Sequence, residues 1–146
     1  VARQSAVETW ESLFRAQVAV MRRLVADFPH DLSFNEYDVL FNLSRRAGRS
    51  ARLRDLNTLV LLTQPSISRL VDRLAARGLL EKLPDEHDRR GTTVRMTDAG
   101  YRTFLAVAAE HSRSIEGVVS AALSEDELGE LRRLTEKLRT GIVGTS

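Results

Sequence analysis

The sequence predicts a mainly α-helical fold carrying one small β-hairpin, and three observations predict it. Apolar residues recur at steps of three and four over most of the chain, the mark of amphipathic helices. A single block, residues 79–96, switches to two short extended runs around a polar, turn-rich insert. At 146 residues, 42% hydrophobic and 29% charged, the chain has the size and balance of one folded domain.

The first helix spans about residues 5–28, with Val7, Trp10, Phe14, Val18, Met21, Val25 and Phe28 on one stripe, and Pro29-His30-Asp31 ends it. A second, about 34–46, turns Phe34, Tyr37, Leu40 and Phe41 inward and closes near Gly48. A short third helix runs from Leu53 to Leu62, beginning around Arg52. The fourth follows almost at once: Thr63 is an N-cap, Pro65 sits in the first turn where a missing amide proton costs little, and Gly78 is the C′ residue. On it Ile67, Leu70, Val71 and Leu74 share one face, while Arg69, Asp72, Arg73 and Ala76 lie opposite, with Ser66 and Ser68 at the margins.

Strands at Leu79–Leu83 and Thr92–Met96 flank the charged tip 84–91. Thr97 caps a long helix to about residue 122, whose stripe includes Tyr101, Phe104, Leu105, Ala108, Ile115 and Val119. Ser124 and Glu127 form a capping box for the last helix, striped by Leu128, Leu131, Leu134, Leu138 and Ile142.

Composition removes several classes of function. There is no cysteine, which excludes a disulfide framework, a thiolate zinc site and a cysteine redox sensor. His30, His87 and His111 are far apart, without metal-ligand spacing. No apolar run approaches the ~20 residues of a membrane span, and the polar start Val1-Ala2-Arg3-Gln4-Ser5 shows no secretory signal, so a soluble cytoplasmic protein without a membrane partner is expected. No nucleophile–base pair, phosphate-cradling glycine loop or paired carboxylates are visible, so an enzyme is not expected, nor a cofactor.

The positive charge is placed unevenly. Of 22 basic residues 20 are arginine, and residues 45–102 hold 13 basic and 7 acidic side chains, a net +6, against −2 in each flank. Such an island suits a polyanion, although solvated surface arginines give the same count. Within it, a short helix followed after a tight turn by a second amphipathic helix is the helix-turn-helix order. A helix of that kind fits the major groove, where base edges are distinguishable, and a charged hairpin beside it is placed to act as a wing, with arginine against backbone or in a narrow minor groove.

Residues 52–102 resemble the MarR family of winged-helix transcription regulators. The resemblance is carried by Ser68-Arg69-Leu70-Val71-Asp72-Arg73-Leu74, Arg77-Gly78-Leu79, Asp88-Arg89-Arg90 and Met96-Thr97-Asp98-Ala99-Gly100, in that order and spacing. It implies a single MarR-like domain: a winged helix-turn-helix lobe over 34–102, flanked by dimerisation helices over 5–33 and 103–146 that intertwine in an obligate homodimer. The long apolar stripes agree, being more extensive than one small lobe can bury. A dimer sets two recognition helices about one helical turn, ~34 Å, apart on a near-palindromic double-stranded DNA operator.

By position in the family, Arg69 and Arg73 face the DNA and Arg90 is the wing arginine, with Arg89 beside it. Gln64, Pro65, Ser66 and Ser68 open the recognition helix; Gln64 has the two-pronged amide that reads adenine, and serines bond phosphates or bases. Solvation and capping are the competing readings of the same residues. Asp88 is expected to shape the wing by bonding an arginine and Asp72 to have a structural role, an ion pair with Asp72 belonging to the competing reading of Arg69 and Arg73. Arg45, Arg46, Arg49, Arg52 and Arg54 form a cluster in which one or two phosphate contacts are expected. Asn57 departs from the family's small apolar residue. Trp10, Phe14, His30 and Tyr37 are candidates for the effector pocket that the family often has, against a competing role in the core. The implied function is a repressor whose DNA affinity is lowered by a small, often aromatic ligand. Two rivals are a winged-helix protein-interaction module without DNA binding and a ligand-independent architectural DNA binder.

Overall fold

The computed structural model of the chain describes residues 5–60 and 67–144. In order they form α1 (Ala6–Ala26), α2 (Phe34–Ser44), a 3-10 turn (Ala47–Arg49), β1 (Ser50–Arg52), α3 (Leu53–Leu59), α4 (Ile67–Ala76), β2 (Leu80–Pro84), β3 (Thr92–Met96), α5 (Asp98–Ala122) and α6 (Glu125–Val143). The elements divide into two compact units, one of residues 28–111 and one of residues 1–27 and 112–146.

The unit 28–111 holds the core. Val39, Leu40 and Leu43 of α2, Leu56 of α3, Leu70, Val71 and Leu74 of α4, Val94 of β3 and Val107 of α5 are buried together with Ile67, Met96 and Phe104. Each fully buried aliphatic side chain contributes roughly 1.5–3 kcal/mol. All four residues assigned to the inner face of the fourth helix are buried, and Arg69, Asp72 and Arg73 are exposed.

The hairpin is part of a larger sheet. β2 pairs antiparallel with β3, Leu80 opposite Met96 and Pro84 opposite Thr92. On its other edge β3 pairs with β1, Ala51 opposite Val94, giving the order β1-β3-β2. The third strand was not expected from sequence. Three residues cannot display an alternating pattern, and this strand exists because β3 offers a free edge to Ser50–Arg52. The chain enters β1 through Gly48 (φ 65°) and Arg49 (φ 51°), both left-handed. Arg49 is held there with its guanidinium 3.6 Å from the Tyr101 ring centroid.

Helix ends follow local chemistry. Ser33 accepts from the Glu36 amide at 3.1 Å while Glu36 accepts from the Ser33 amide at 2.8 Å, and Ser5 with Glu8 repeats the arrangement at the start of α1. The expected box at Ser124–Glu127 is present. α3 stops at Leu59 rather than Leu62, because Val60 is extended (φ −68°, ψ 140°). Gly78 (φ 74°) ends α4 in a Schellman motif, with Gly78 N–H donating to the Ala75 carbonyl at 3.0 Å and Leu79 N–H to Leu74 at 2.9 Å. Thr97 caps α5 as expected: its Oγ1 accepts from the Gly100 amide at 3.0 Å and donates to the Gly78 carbonyl at 2.7 Å. Gly100 is pressed so closely on this junction that a Cβ there would lie 2.0 Å from the Leu79 carbonyl oxygen.

In the unit of residues 1–27 and 112–146 the apolar stripes are not buried by the chain itself. Val7, Trp10 and Phe14 of α1 and Leu131, Leu134, Leu138 and Ile142 of α6 are each 44–74% exposed. A groove of about 620 Å³ runs between these helices over Leu13, Ala16, Leu131, Leu134 and Leu138.

Candidate nucleic-acid interface

The unit 28–111 brings together the outer face of α4 and the wing tip. Ser68, Arg69 and Arg73 project from α4, and Arg89 and Arg90 stand on the tip between β2 and β3, all exposed. Gln64, Pro65 and Ser66, with the Thr63 cap, lie outside the described residues. A cleft of about 560 Å³ separates helix from wing, and Arg52, Arg54, Asn57, Ser68, Asp85 and Arg90 are among its lining. Asn57 is thus an exposed groove residue.

The wing tip is built on two aspartates. Asp88 Oδ1 accepts from the Arg90 backbone amide at 3.0 Å, so it shapes the turn by bonding an arginine, through that residue's main chain. Asp85 is buried, a rare position for a carboxylate on a loop. Its Oδ1 accepts from the His87 amide at 3.0 Å, its own amide donates to the Gly91 carbonyl at 3.1 Å, and its Oδ2 meets Arg52 Nε at 2.9 Å. Gly91 packs on this carboxylate, and a Cβ there would be 3.2 Å from Asp85 Oδ2. Sequence reasoning missed Asp85, since nothing in a run of charged turn residues marks one as buried.

Much of the charge island is committed inside the unit. Arg45 sits 4.6 Å from the Phe41 ring centroid, Arg49 stacks on Tyr101, and Arg52 holds Asp85. Arg77 reaches Glu36 at 3.7 Å and donates to the Asp31 carbonyl at 2.7 Å, while Arg95 pairs with its cross-strand partner Glu81 at 2.6 Å. Asp72 pairs with Lys82 of β2, which ties α4 to the wing stem and gives Asp72 a structural part. Among the described residues of the island, the guanidiniums of Arg46, Arg73, Arg89, Arg90 and Arg102 have no acidic or aromatic partner, and these remain available to a polyanion.

Of the four candidate pocket residues, Trp10 and Phe14 belong to the unit of residues 1–27 and 112–146, and His30 and Tyr37 to the unit 28–111. Trp10 and Phe14 pack on each other, 5.7 Å between centroids, on the exposed stripe of α1, and His30 is exposed. Tyr37 is half-buried among Phe28, Phe104 and His111, with centroids at 5.5, 5.5 and 5.2 Å, and burial pushes its phenol above the ordinary value against the pull of Arg45. His111 also meets Phe28 and Phe34 edge to face, and it is buried with no hydrogen-bond partner for Nδ1 among the described residues. Burial lowers its pKa and keeps it neutral. No group of three or more metal-ligating side chains is found among the described residues, and no described helix is long and apolar enough to cross a membrane.

A helical core in which α3 and α4 pack together, a three-stranded sheet whose hairpin carries exposed arginines, and a basic outer face on α4 define a winged helix-turn-helix protein. Residues 30–91 match the sequence profile of the MarR family. The HTH-type transcriptional regulator PecS of Dickeya dadantii is 32% identical over 135 residues, 90% of this chain and 80% of PecS. The chain belongs to the MarR family of transcriptional regulators. Among solved structures, the MarR family regulator AbsC of Streptomyces coelicolor superposes with a TM-score of 0.79 over 99% of both chains at 25% identity. Sco3205 of the same organism, solved in complex with DNA, shares the fold with a TM-score of 0.78 over 97% of this chain and 91% of its own, at 22% identity.

Proposed function

We propose that this chain is a homodimeric, sequence-specific DNA-binding regulator of transcription, acting as a repressor whose affinity for a near-palindromic operator falls when a small aromatic ligand binds. The observation that carries the reading is the convergence of Ser68, Arg69 and Arg73 on one face of α4 with Arg89 and Arg90 on the adjacent wing. The helix supplies donors for the major groove, and the wing supplies arginine for backbone or minor groove. Gln64, Pro65 and Ser66 belong to the same proposed interface by sequence. The lobe over 34–102 binds DNA, and the helices over 5–33 and 103–146 dimerise, covering the apolar stripes of α1 and α6. The protein works in the cytoplasm, has no enzymatic activity and needs no cofactor.

Effector control follows from linkage: a ligand that binds better to the form unable to bind DNA weakens DNA binding by the same factor. Trp10, Phe14, His30 and Tyr37 are the residues proposed for that ligand.

The test is fluorescence anisotropy with the DNA upstream of the protein's own gene and a scrambled control, each at two salt concentrations. Preference for the upstream DNA that persists at the higher salt supports an operator binder. Equal binding that vanishes with salt overturns it in favour of a general DNA binder, and no binding at low salt leaves a protein-interaction module.

A further inference from the structure

The buried Asp85 poses a problem for any protein that meets DNA with its wing. A carboxylate within the tip that presents Arg89 and Arg90 opposes the approach of a polyanion, and ordinary turn residues would close the loop without it. The structure shows where this carboxylate is engaged. Asp85 collects the His87 amide, the Gly91 carbonyl through its own amide, and Arg52 Nε at 2.9 Å, with its side chain only 6% exposed. Arg52 is fixed from the other side, as the last residue of β1, opposite Thr93 of β3, and as the N-cap of α3. The ion pair therefore joins the wing tip to the first residue of the helix-turn-helix, across the cleft that Ser68 and Arg90 also line. Arg90 itself is oriented by its backbone amide on Asp88 at 3.0 Å, and the Gly91 amide closes on the Asp88 carbonyl at 2.9 Å.

We propose that Asp85 and Arg52 are positioning residues for DNA binding: their ion pair sets the wing tip against the helix-turn-helix so that Arg90 meets DNA while α4 occupies its groove. This rests on the DNA-binding reading above and adds two residues that do not themselves contact DNA. The alternative for Arg52 is a direct phosphate contact whose charge Asp85 partly cancels. The two readings give opposite signs for one substitution. Removing a negative charge from a DNA-binding face by Asp85→Asn tightens binding a few-fold if charge alone matters. It weakens binding if the carboxylate positions the wing.

The experiment measures operator affinity by anisotropy for the full-length parent, Asp85→Asn, Arg52→Gln, Arg90→Ala and Arg69→Ala, and for each of the first two combined with each of the last two. Circular dichroism melting of every variant runs alongside. Asp85→Asn and Arg52→Gln change the net charge in opposite directions, and both are expected to weaken binding about ten-fold. Arg90→Ala is expected to add little in either background, whereas Arg69→Ala keeps its full effect, a selectivity that general destabilisation does not produce. Arg52→Lys, which keeps a cation beside the buried Asp85 carboxylate while changing the geometry of the pair, replaces either variant that fails to fold and is likewise expected to weaken binding, parental affinity overturning the proposal. Binding by Asp85→Asn as tight as the parent's or tighter overturns the proposal, as does full additivity with Arg90→Ala. If the parent itself binds no DNA, the DNA-binding reading falls and this proposal falls with it, an outcome visible before any variant is compared.

Discussion

Gly100→Ala adds a single methyl group at the junction where the recognition helix ends and α5 begins. The new Cβ would lie 2.0 Å from the Leu79 carbonyl oxygen and 2.9 Å from its carbon, with the Met96 side chain at 3.0 Å. Two of these contacts are backbone, so no rotamer change relieves them, and the first turn of α5 must move off by an ångström or more. That movement strains or breaks the bonds from Thr97 N–H to the Leu79 carbonyl at 3.1 Å and from Thr97 Oγ1 to the Gly78 carbonyl at 2.7 Å. Overpacking costs about 1–3 kcal/mol and each lost hydrogen bond about 1 kcal/mol. The better helix propensity of alanine returns about 0.5–1 kcal/mol. The net loss of about 3 kcal/mol is a large part of the 5–15 kcal/mol typical of a domain, and corresponds to a fall in Tm of about 10 °C. Thermal and urea unfolding followed by circular dichroism measure it. Gly129→Ala in α6, where an added Cβ meets nothing within 4 Å, is the control and is expected to stabilise by about 0.5–1 kcal/mol. A Gly100→Ala protein melting within 2 °C of the parent would refute the argument from close approach, whatever the control does.

Three further outcomes are expected. Leu138→Glu, placed on the exposed stripe beside the α1–α6 groove, shifts the sedimentation coefficient from dimer to monomer, and an unchanged dimer removes that stripe from the interface. Arg90→Ala weakens binding to every DNA alike, whereas Arg69→Ala also relaxes base preference, by about 1–3 kcal/mol at the base it reads, and competition with single-base operator variants separates the two. His111 is buried with a lowered pKa, so below its ordinary value of 6.5 the unfolded chain takes up a proton that the folded chain resists. Stability from this residue is complete above about pH 6.5 and is lost as pH falls toward the lower folded value, so the parent's Tm drops on acidification through that window and the drop is smaller in His111→Phe.

The helices, the wing and the division of α4 into a buried and a polar face were legible in the sequence because each is written in local chemistry. Periodicity separated Leu70, Val71 and Leu74 from Arg69 and Arg73, and Gly78 and Thr97 announced the end of one helix and the start of another. What escaped is non-local. β1 is three residues that become a strand only by pairing with β3, more than forty positions away. Asp85 is set apart from Glu86 and Asp88 by burial and by its partner Arg52, 33 residues earlier. Lys82 holds Asp72 because the β2 register brings it there, a partner that no local pattern marks. Counting arginines overstated how many lack a partner, since rings and carboxylates of the same unit already take Arg45, Arg49, Arg52, Arg77 and Arg95. The apolar stripes of α1 and α6 were read correctly as stripes, but periodicity carries no information on whether the covering surface belongs to the same chain.

The left-handed Arg49 has a consequence for how this sequence can change over time. A side chain at φ 51° costs roughly 1–2 kcal/mol, and stacking on a ring returns about 0.5–2 kcal/mol. The two terms nearly cancel, so neither residue is neutral without the other. Loss of Tyr101 leaves the backbone strain at position 49 uncompensated, whereas glycine or asparagine at 49 removes the strain and releases position 101 from its aromatic character. Positions 49 and 101, 52 residues apart, are therefore expected to vary as a pair: in relatives that keep this turn, an arginine at the first should accompany an aromatic residue at the second. A glycine at the first should accompany any residue that still fills the same space.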